Sequence, residues 1–146
     1  MVALSNVYPC ASRAAPDALH VLLVEDNEEC AFLMGRLLSR MGHEVTYAPD
    51  GLSALAKARC RPPDVVLLDI SLPDLDGYEV AARLRAMPGA KPLFIVALSG
   101  YECDEGLREE SGIDLYLVKP AEPEVLGGVL GRFWRVTKGV LTEVGL

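Results

Sequence analysis

The chain has 146 residues, is 51% apolar and carries a formal net charge of −7 from 14 basic and 21 acidic residues. This length predicts one domain, and the acidic balance argues against nucleic acid as a direct partner, because phosphate backbones are bound by basic patches. The longest apolar runs are far shorter than the ~20 residues that span a bilayer, and no secretory signal is visible. The four cysteines form no C-x-x-C pair. We therefore expect a cytoplasmic protein with reduced thiols and no membrane partner.

Strands and helices are predicted to alternate five times along the chain. Short apolar or β-branched runs predict strands at residues 20–24, 44–48, 65–68, 93–98 and 115–118. Residues at helical spacing predict the helices between them, with apolar stripes that include Leu33, Leu52 and Val125. This alternation predicts an α/β fold in which a parallel sheet is covered by helices on both faces.

Two segments lie outside the predicted domain, and one helix is predicted to be weak. Residues 1–17 show no apolar period and are interpreted as a disordered leader or linker. Residues 18–135 form the predicted domain, and residues 136–146 form a tail. The helix predicted at 102–110 has only Cys103 and Leu107 on its apolar side, so we expect it to be poorly anchored and able to shift.

The third strand is the feature around which the other elements are arranged. Its apolar run from Val65 to Leu68 stops at Asp69, and a loop rich in Pro, Asp and Gly follows. A run that is apolar on both faces is typical of a central strand in a parallel sheet, and such sheets bind ligands at the carboxyl ends of their strands. We interpret Asp69 as a carboxylate displayed for phosphoryl chemistry. The alternative is a strand-ending Asp that caps a turn.

Polar side chains end four of the five predicted strands: Glu25 and Asp26, Asp69, Ser99 and Lys119. Each has a structural alternative as a helix cap, a helix-start charge or a solvated side chain. Because parallel strands share one carboxyl edge, however, all five can converge. Three close carboxylates repel one another and need a cation, and oxygen ligands suit Mg²⁺. A hydroxyl and an ammonium group can bind the oxygens of a transferring phosphoryl group.

The chain resembles a receiver domain of the two-component response-regulator family. The matching strings are VLLVEDN (21–27), PDVVLLDISLPDLDGYEV (63–80), IVALSGY (95–101) and GIDLYLVKP (112–120), and together they cover about residues 19–134. The resemblance implies a flavodoxin-like (βα)5 fold, with a five-stranded parallel sheet in the order 2-1-3-4-5. The amino-acid sequences of the last two strings are most similar to those of receivers attached to hybrid histidine kinases.

The resemblance also implies a metal site and a phosphate acceptor. Asp69 would accept the phosphoryl group. Asp26, Asp69 and the main-chain carbonyl of Ser71 would ligate Mg²⁺, with Mn²⁺ as an alternative, and Glu25 would act mainly through metal-bound water. Family members often carry Met or Asn at the Ser71 position, and this departure leaves the lifetime of the phosphorylated state open.

Three further residues are implied to sense the phosphoryl group. Ser99 and Lys119 would hold its oxygens, and the Lys119-Pro120 peptide bond would be cis. Tyr116 occupies the position of the family's switch aromatic. On phosphorylation Ser99 would move toward the phosphate, and Tyr116 would rotate inward.

The implied partners are a histidine kinase or histidine phosphotransfer protein and a downstream protein target. Too few residues lie outside the domain for a helix-turn-helix module, so we expect a single-domain regulator or an excised receiver. It would be no enzyme beyond its own phosphotransfer and dephosphorylation. A Mg²⁺-dependent phosphatase with an aspartyl-phosphate intermediate is one alternative, but Ser71 stands where such enzymes carry a second Asp. A phosphate-independent pseudo-receiver is another, although the acidic and Lys positions are all present.

Overall fold

The computed structural model describes residues 18–88, 92–100 and 105–139. Five strands and five helices alternate through these residues. The strands are β1 (His20–Val24), β2 (Glu44–Ala48), β3 (Val65–Asp69), β4 (Phe94–Ser99) and β5 (Leu115–Val118). The helices are α1 (Glu28–Arg40), α2 (Gly51–Cys60), α3 (Gly77–Ala86), α4 (Glu105–Ser111) and α5 (Pro123–Trp134), followed by a π-helical turn (Arg135–Gly139).

All five strands are parallel and lie in the order β2-β1-β3-β4-β5. The predicted flavodoxin-like fold is confirmed. β3 is the central strand, and its neighbours β1 and β4 also lie inside the sheet. The carboxyl ends of these three strands are therefore adjacent, which is where a ligand site forms in an open α/β sheet.

Both faces of the sheet are buried, which explains the continuous apolar runs in the sequence. Val66 and Leu68 of β3 pack with α2 and α3 on one face. Val65 and Leu67 pack with α1 and α5 on the other. All four side chains are fully buried. Side chains alternate between the two faces of a strand, so a strand covered on both faces has to be apolar at every position.

β3 and β4 each include the polar residue at which the apolar run ends, and β4 begins one residue later than predicted. β3 runs through Asp69, which pairs with Leu98, and β4 runs through Ser99, which pairs with Val118. The backbone continues the ladder beyond the apolar run: the Ile70 N–H donates to the Leu98 carbonyl at 3.1 Å. As a result, Asp69 and Ser99 lie on the rigid sheet.

The predicted burial of Leu33, Leu52 and Val125 is wrong. Leu33, Leu52 and Val125 are 67%, 58% and 45% exposed. In α1 the buried positions include Ala31 and Leu38, and a residue two positions after Ala31 lies on the opposite side of a helix. The same offset of one or two positions separates the other two residues from the buried stripes of their helices.

Several predictions fall on residues outside the described ranges. These are the leader at 1–17, the end of the tail at 140–146, and Cys103 with the start of the predicted weak helix. α4 is described from Glu105 onward. Among the described residues, no helix combines the length and the apolar character needed to span a membrane.

Candidate functional site

The polar residues that end β1 and β3 form a compact acidic cluster. One carboxylate oxygen each from Glu25, Asp26 and Asp69 lies within 4.8 Å of the other two. Glu25 and Asp69 are buried, and Asp26 is exposed. The cluster therefore opens to solvent on the side of Asp26, through which a ligand can enter.

Asp69 is held in a fixed orientation at the end of the central strand. Its Oδ1 accepts a hydrogen bond from the Ser71 N–H at 2.9 Å, and its Oδ2 lies 3.4 Å from the Lys119 Nζ. The side chain is only 7% exposed. One oxygen thus accepts a hydrogen bond from the following loop, while the other faces the ammonium group.

Glu25 is buried in the cluster, and both of its carboxylate oxygens accept hydrogen bonds. Its Oε1 accepts from the Lys119 Nζ at 3.0 Å, and its Oε2 accepts from the Asn27 N–H at 3.2 Å. Burial raises the pKa of Glu25, and the Asp69 charge adds to this rise, although both hydrogen bonds oppose it. The ionised form of Glu25 is therefore disfavoured in this site unless a cation compensates its charge.

Lys119 supplies the positive charge that faces the cluster. Burial acts to lower the pKa of Lys119, but its hydrogen bond with Glu25 and the charges of Glu25 and Asp69 outweigh burial and raise it. Lys119 is therefore an ammonium ion at neutral pH. The Lys119-Pro120 peptide bond is cis, as the resemblance implies.

Ser99 ends β4, the strand next to β3, and Tyr116 lies on β5 at the edge of the sheet. Ser99 is buried, and its carbonyl accepts from the Lys119 N–H at 2.7 Å. Tyr116 is half-buried against the core that contains α2 and α3, and its hydroxyl accepts from the Tyr78 hydroxyl at 3.5 Å. The structure thus joins the backbone of Ser99 to that of Lys119, whereas the side chain of Tyr116 contacts α3.

Sequence reasoning missed residues that shape the loop after Asp69. A Cβ atom at Gly77 would lie 2.6 Å from the Cα of Ile70 and 3.0 Å from the carbonyl oxygen of Asp69. A side chain at this position would therefore displace the backbone at the carboxyl end of β3 or at the start of α3. The Asp-Gly pair that ends the loop string was the available signal, since such pairs mark close turns.

The residues present fit a small hard cation. Within the described part of the chain, the cluster offers three carboxylates as oxygen ligands, and the ammonium group of Lys119 faces two of them. Oxygen ligands, few carboxylates and an open side through which waters can complete the coordination are what Mg²⁺ prefers. The main-chain carbonyl of Ser71 remains a predicted further ligand, since Ser71 adjoins the cluster through its bond to Asp69.

Glu25→Gln is expected to remove a pH-dependent loss of stability. The pKa of Glu25 is raised above 4.5 in the folded protein. The contribution of Glu25 to the free energy of unfolding is therefore fully present below pH 4.5, and it disappears as the pH rises through the folded-state pKa. Without divalent cations, the variant should therefore gain stability relative to the wild type as pH increases toward neutrality. Urea unfolding of both proteins across this range measures the difference. A constant difference would contradict the assigned cause.

The fold and this acidic site define the chain as a flavodoxin-like receiver domain. Residues 21–130 match the family model of the response regulator receiver domain. This match covers most of the chain, which therefore belongs to the response regulator receiver family.

Curated and solved relatives agree with this assignment. The chain is 39% identical over 103 residues to the alkaline phosphatase synthesis transcriptional regulatory protein PhoP of Bacillus subtilis, covering 70% of this chain and 43% of that protein. It thus spans less than half the length of that regulator.

Two solved receiver domains are similar at 31% identity, each match covering 80% of this chain and 98% of the other. One belongs to the sensor histidine kinase PA1611 of Pseudomonas aeruginosa and has a magnesium ion coordinated in its active site cleft, with a TM-score of 0.73. The other is the BeF3-activated receiver domain of Klebsiella pneumoniae RstA, with a TM-score of 0.71. Both matches cover nearly the whole of the other domain.

Proposed function

We propose that this receiver accepts a phosphoryl group on Asp69 from the phosphohistidine of a histidine kinase or a histidine phosphotransfer protein. The observation that carries the proposal is the position of the Asp69 carboxylate. It lies 3.4 Å from the Lys119 ammonium and within 4.8 Å of oxygens from Glu25 and Asp26. A carboxylate surrounded in this way can act as a nucleophile toward phosphorus while positive charge lies beside it.

The transfer exchanges one phosphorus bond for another. An Asp69 oxygen attacks phosphorus, and the bond between phosphorus and the histidine nitrogen breaks with its electron pair going to that nitrogen. With the other ring nitrogen protonated, the histidine leaves as a neutral imidazole and Asp69 becomes an acyl phosphate. Lys119 neutralises charge on the transferring oxygens, and the Ser99 hydroxyl is proposed to donate a hydrogen bond to one of them. Mg²⁺, held by Asp26, Asp69 and the Ser71 carbonyl, would supply further charge neutralisation.

The output of the domain is proposed to be a change of protein-binding surface. Movement of Ser99 toward the phosphoryl group would leave space beside β5, and rotation of Tyr116 into that space would break its 3.5 Å contact with Tyr78. The surface of α4 and β5 would then differ between the two states. A downstream protein that binds one state better would read the signal.

The proposed partners are a phosphohistidine donor and this downstream protein, and the proposed location is the cytoplasm. The net charge of −7 favours a protein over a nucleic acid as the partner of this chain. Some curated relatives are transcriptional regulators and are longer than this chain. They do not support the expectation that this chain has no direct contact with nucleic acid. That expectation remains a prediction.

Incubation with Mg²⁺ and acetyl phosphate tests the proposed function. Intact mass should increase by one phosphoryl group, and chelation of the metal should prevent the increase. A partner kinase is unnecessary because acetyl phosphate is itself a phosphoryl donor. Sustained hydrolysis of a simple phosphomonoester over many turnovers would instead favour the phosphatase alternative.

Mg²⁺ alone is expected to stabilise the folded protein. A ligand that binds only the native state adds RT ln(1 + [L]/Kd) to the free energy of unfolding, or about 1.4 kcal/mol at ten times the dissociation constant. Urea unfolding at increasing Mg²⁺ concentration measures this change. The variant Asp26→Asn should lose most of it, whereas Asp114→Asn, outside the cluster, should retain it.

A further inference from the structure

Asp74 connects the middle of the loop after Asp69 to the start of helix α2. Its Oδ1 accepts hydrogen bonds from the N–H groups of Gly51 and Leu75, and its Oδ2 accepts from the N–H of Leu52, each at 2.8 Å. The first N–H groups of a helix have no partner within the helix. A residue 22 positions away from Leu52 therefore completes the hydrogen bonding of α2.

The close packing of the loop on α2 depends on glycine. A Cβ atom at Gly51 would lie 2.8 Å from Cγ2 of Val80, 3.1 Å from Cβ of Leu75 and 3.2 Å from Oδ1 of Asp74. No side chain fits between the helix start and the loop. The close packing at Gly51 and the two hydrogen bonds from the Gly51 and Leu52 N–H groups independently support the contact between the loop and α2.

The two ends of this loop are fixed to the carboxyl end of β3. The Ser71 N–H donates to Oδ1 of Asp69 at 2.9 Å, and the Gly77 N–H donates to the carbonyl of Ile70 at 3.0 Å. Asp74 lies between these two attachments and fixes the middle of the loop to another element. The hydrogen bond from the Leu52 N–H is the largest influence on its carboxyl group, and with those from Gly51 and Leu75 it holds the pKa of Asp74 below its ordinary value.

We propose that Asp74 is a positioning residue that holds the loop against α2 and thereby fixes the Ser71 carbonyl for cation binding. The proposal rests on the function proposed above, because Ser71 matters only if the acidic cluster binds Mg²⁺. Asp74 itself does not contact the cluster. It acts by reducing the number of loop conformations, so that little conformational freedom is lost when the cation binds.

Asp74→Ala is expected to weaken Mg²⁺ binding about threefold to tenfold. Calorimetric titration with Mg²⁺ alone measures the dissociation constant. In the acetyl phosphate reaction, the Mg²⁺ concentration for half-maximal rate should rise by a similar factor, while the maximal rate at saturating Mg²⁺ stays near that of the wild type. General unfolding would lower the maximal rate as well.

Asp50→Ala is the matched control. Asp50 is the N-terminal cap of α2, and its side chain accepts from the Ser53 N–H at 2.7 Å. Its removal loosens the same helix end but leaves the loop attached. Asp74→Asn retains one carbonyl oxygen as an acceptor, so an intermediate Mg²⁺ affinity is expected from it; this variant also replaces Asp74→Ala if the latter folds poorly.

The outcomes separate the two proposals. Weaker Mg²⁺ binding in Asp74→Ala, with Asp50→Ala near the wild type and Asp74→Asn between them, supports the positioning role. Equal affinities of Asp74→Ala and the wild type, or equal losses in Asp74→Ala and Asp50→Ala, overturn it and leave the phosphoacceptor proposal intact. A wild-type protein that neither binds Mg²⁺ nor gains a phosphoryl group overturns both.

Discussion

Asp69→Asn is expected to abolish phosphorylation by acetyl phosphate, with a loss of rate on the order of 10³-fold or more. The substitution keeps a carbonyl oxygen that can accept from the Ser71 N–H, as the aspartate does. It removes the negative oxygen that attacks phosphorus, and an amide is a very poor nucleophile. The expected defect is therefore chemical rather than structural. Intact mass after incubation with Mg²⁺ and acetyl phosphate measures it.

Asp76→Asn is the control for this experiment. Asp76 belongs to the same loop and caps α3, with its side chain accepting from the Tyr78 N–H at 2.8 Å. Asparagine is also an effective cap, so the fold should be unaffected and phosphorylation should proceed normally. Phosphorylation of Asp69→Asn at the rate of this control would refute the assignment of Asp69.

Lys119→Ala is expected to destabilise the metal-free protein by about 1–2 kcal/mol. Removal of one partner from a buried ion pair costs about 3–5 kcal/mol, but the Lys119 side chain is 33% exposed, so solvent screening reduces the effect. Glu25, Asp26 and Asp69 then repel one another without the ammonium group that faces them in the wild type. Mg²⁺ should restore most of the lost stability, and should therefore stabilise this variant more than the wild type.

The same variant tests the role of Lys119 in signalling. Its Mg²⁺ binding should be at least as tight as that of the wild type, whereas the conformational response to phosphorylation or to beryllofluoride should be lost, as read by amide NMR shifts of Tyr116. Lys57→Ala is the matched control, because the Lys57 ammonium donates to the Tyr47 carbonyl rather than to a carboxylate. A Lys119→Ala protein with normal stability and a normal response would contradict both roles.

The sheet and the convergence of its polar ends could be predicted because both follow from local patterns. A strand that is covered on both faces requires an apolar residue at each position, as from Val65 to Leu68. Its first polar residue, here Asp69, then marks the strand end. In a parallel sheet these ends share one edge, so Glu25 and Lys119 could be placed beside Asp69 although they are far apart in sequence.

Contacts between loops and helices could not be predicted in this way. Asp74 and Tyr78 have no periodic pattern that identifies their partners, since Asp74 binds α2 and Tyr78 contacts Tyr116, 38 positions away. Exposure of Leu33 was also mispredicted, because an apolar residue beside a buried stripe is hard to distinguish from a member of the stripe. These features depend on tertiary packing, which local spacing does not encode.

Chemical mapping of the modified residue tests the central claim most directly. After incubation with Mg²⁺ and acetyl phosphate, borohydride reduces an acyl phosphate on aspartate to homoserine, and peptide mass analysis locates the product. We predict homoserine at position 69, in wild-type protein and only when Mg²⁺ is present. Homoserine at another acidic residue, or none in protein that has gained a phosphoryl group, would contradict the account.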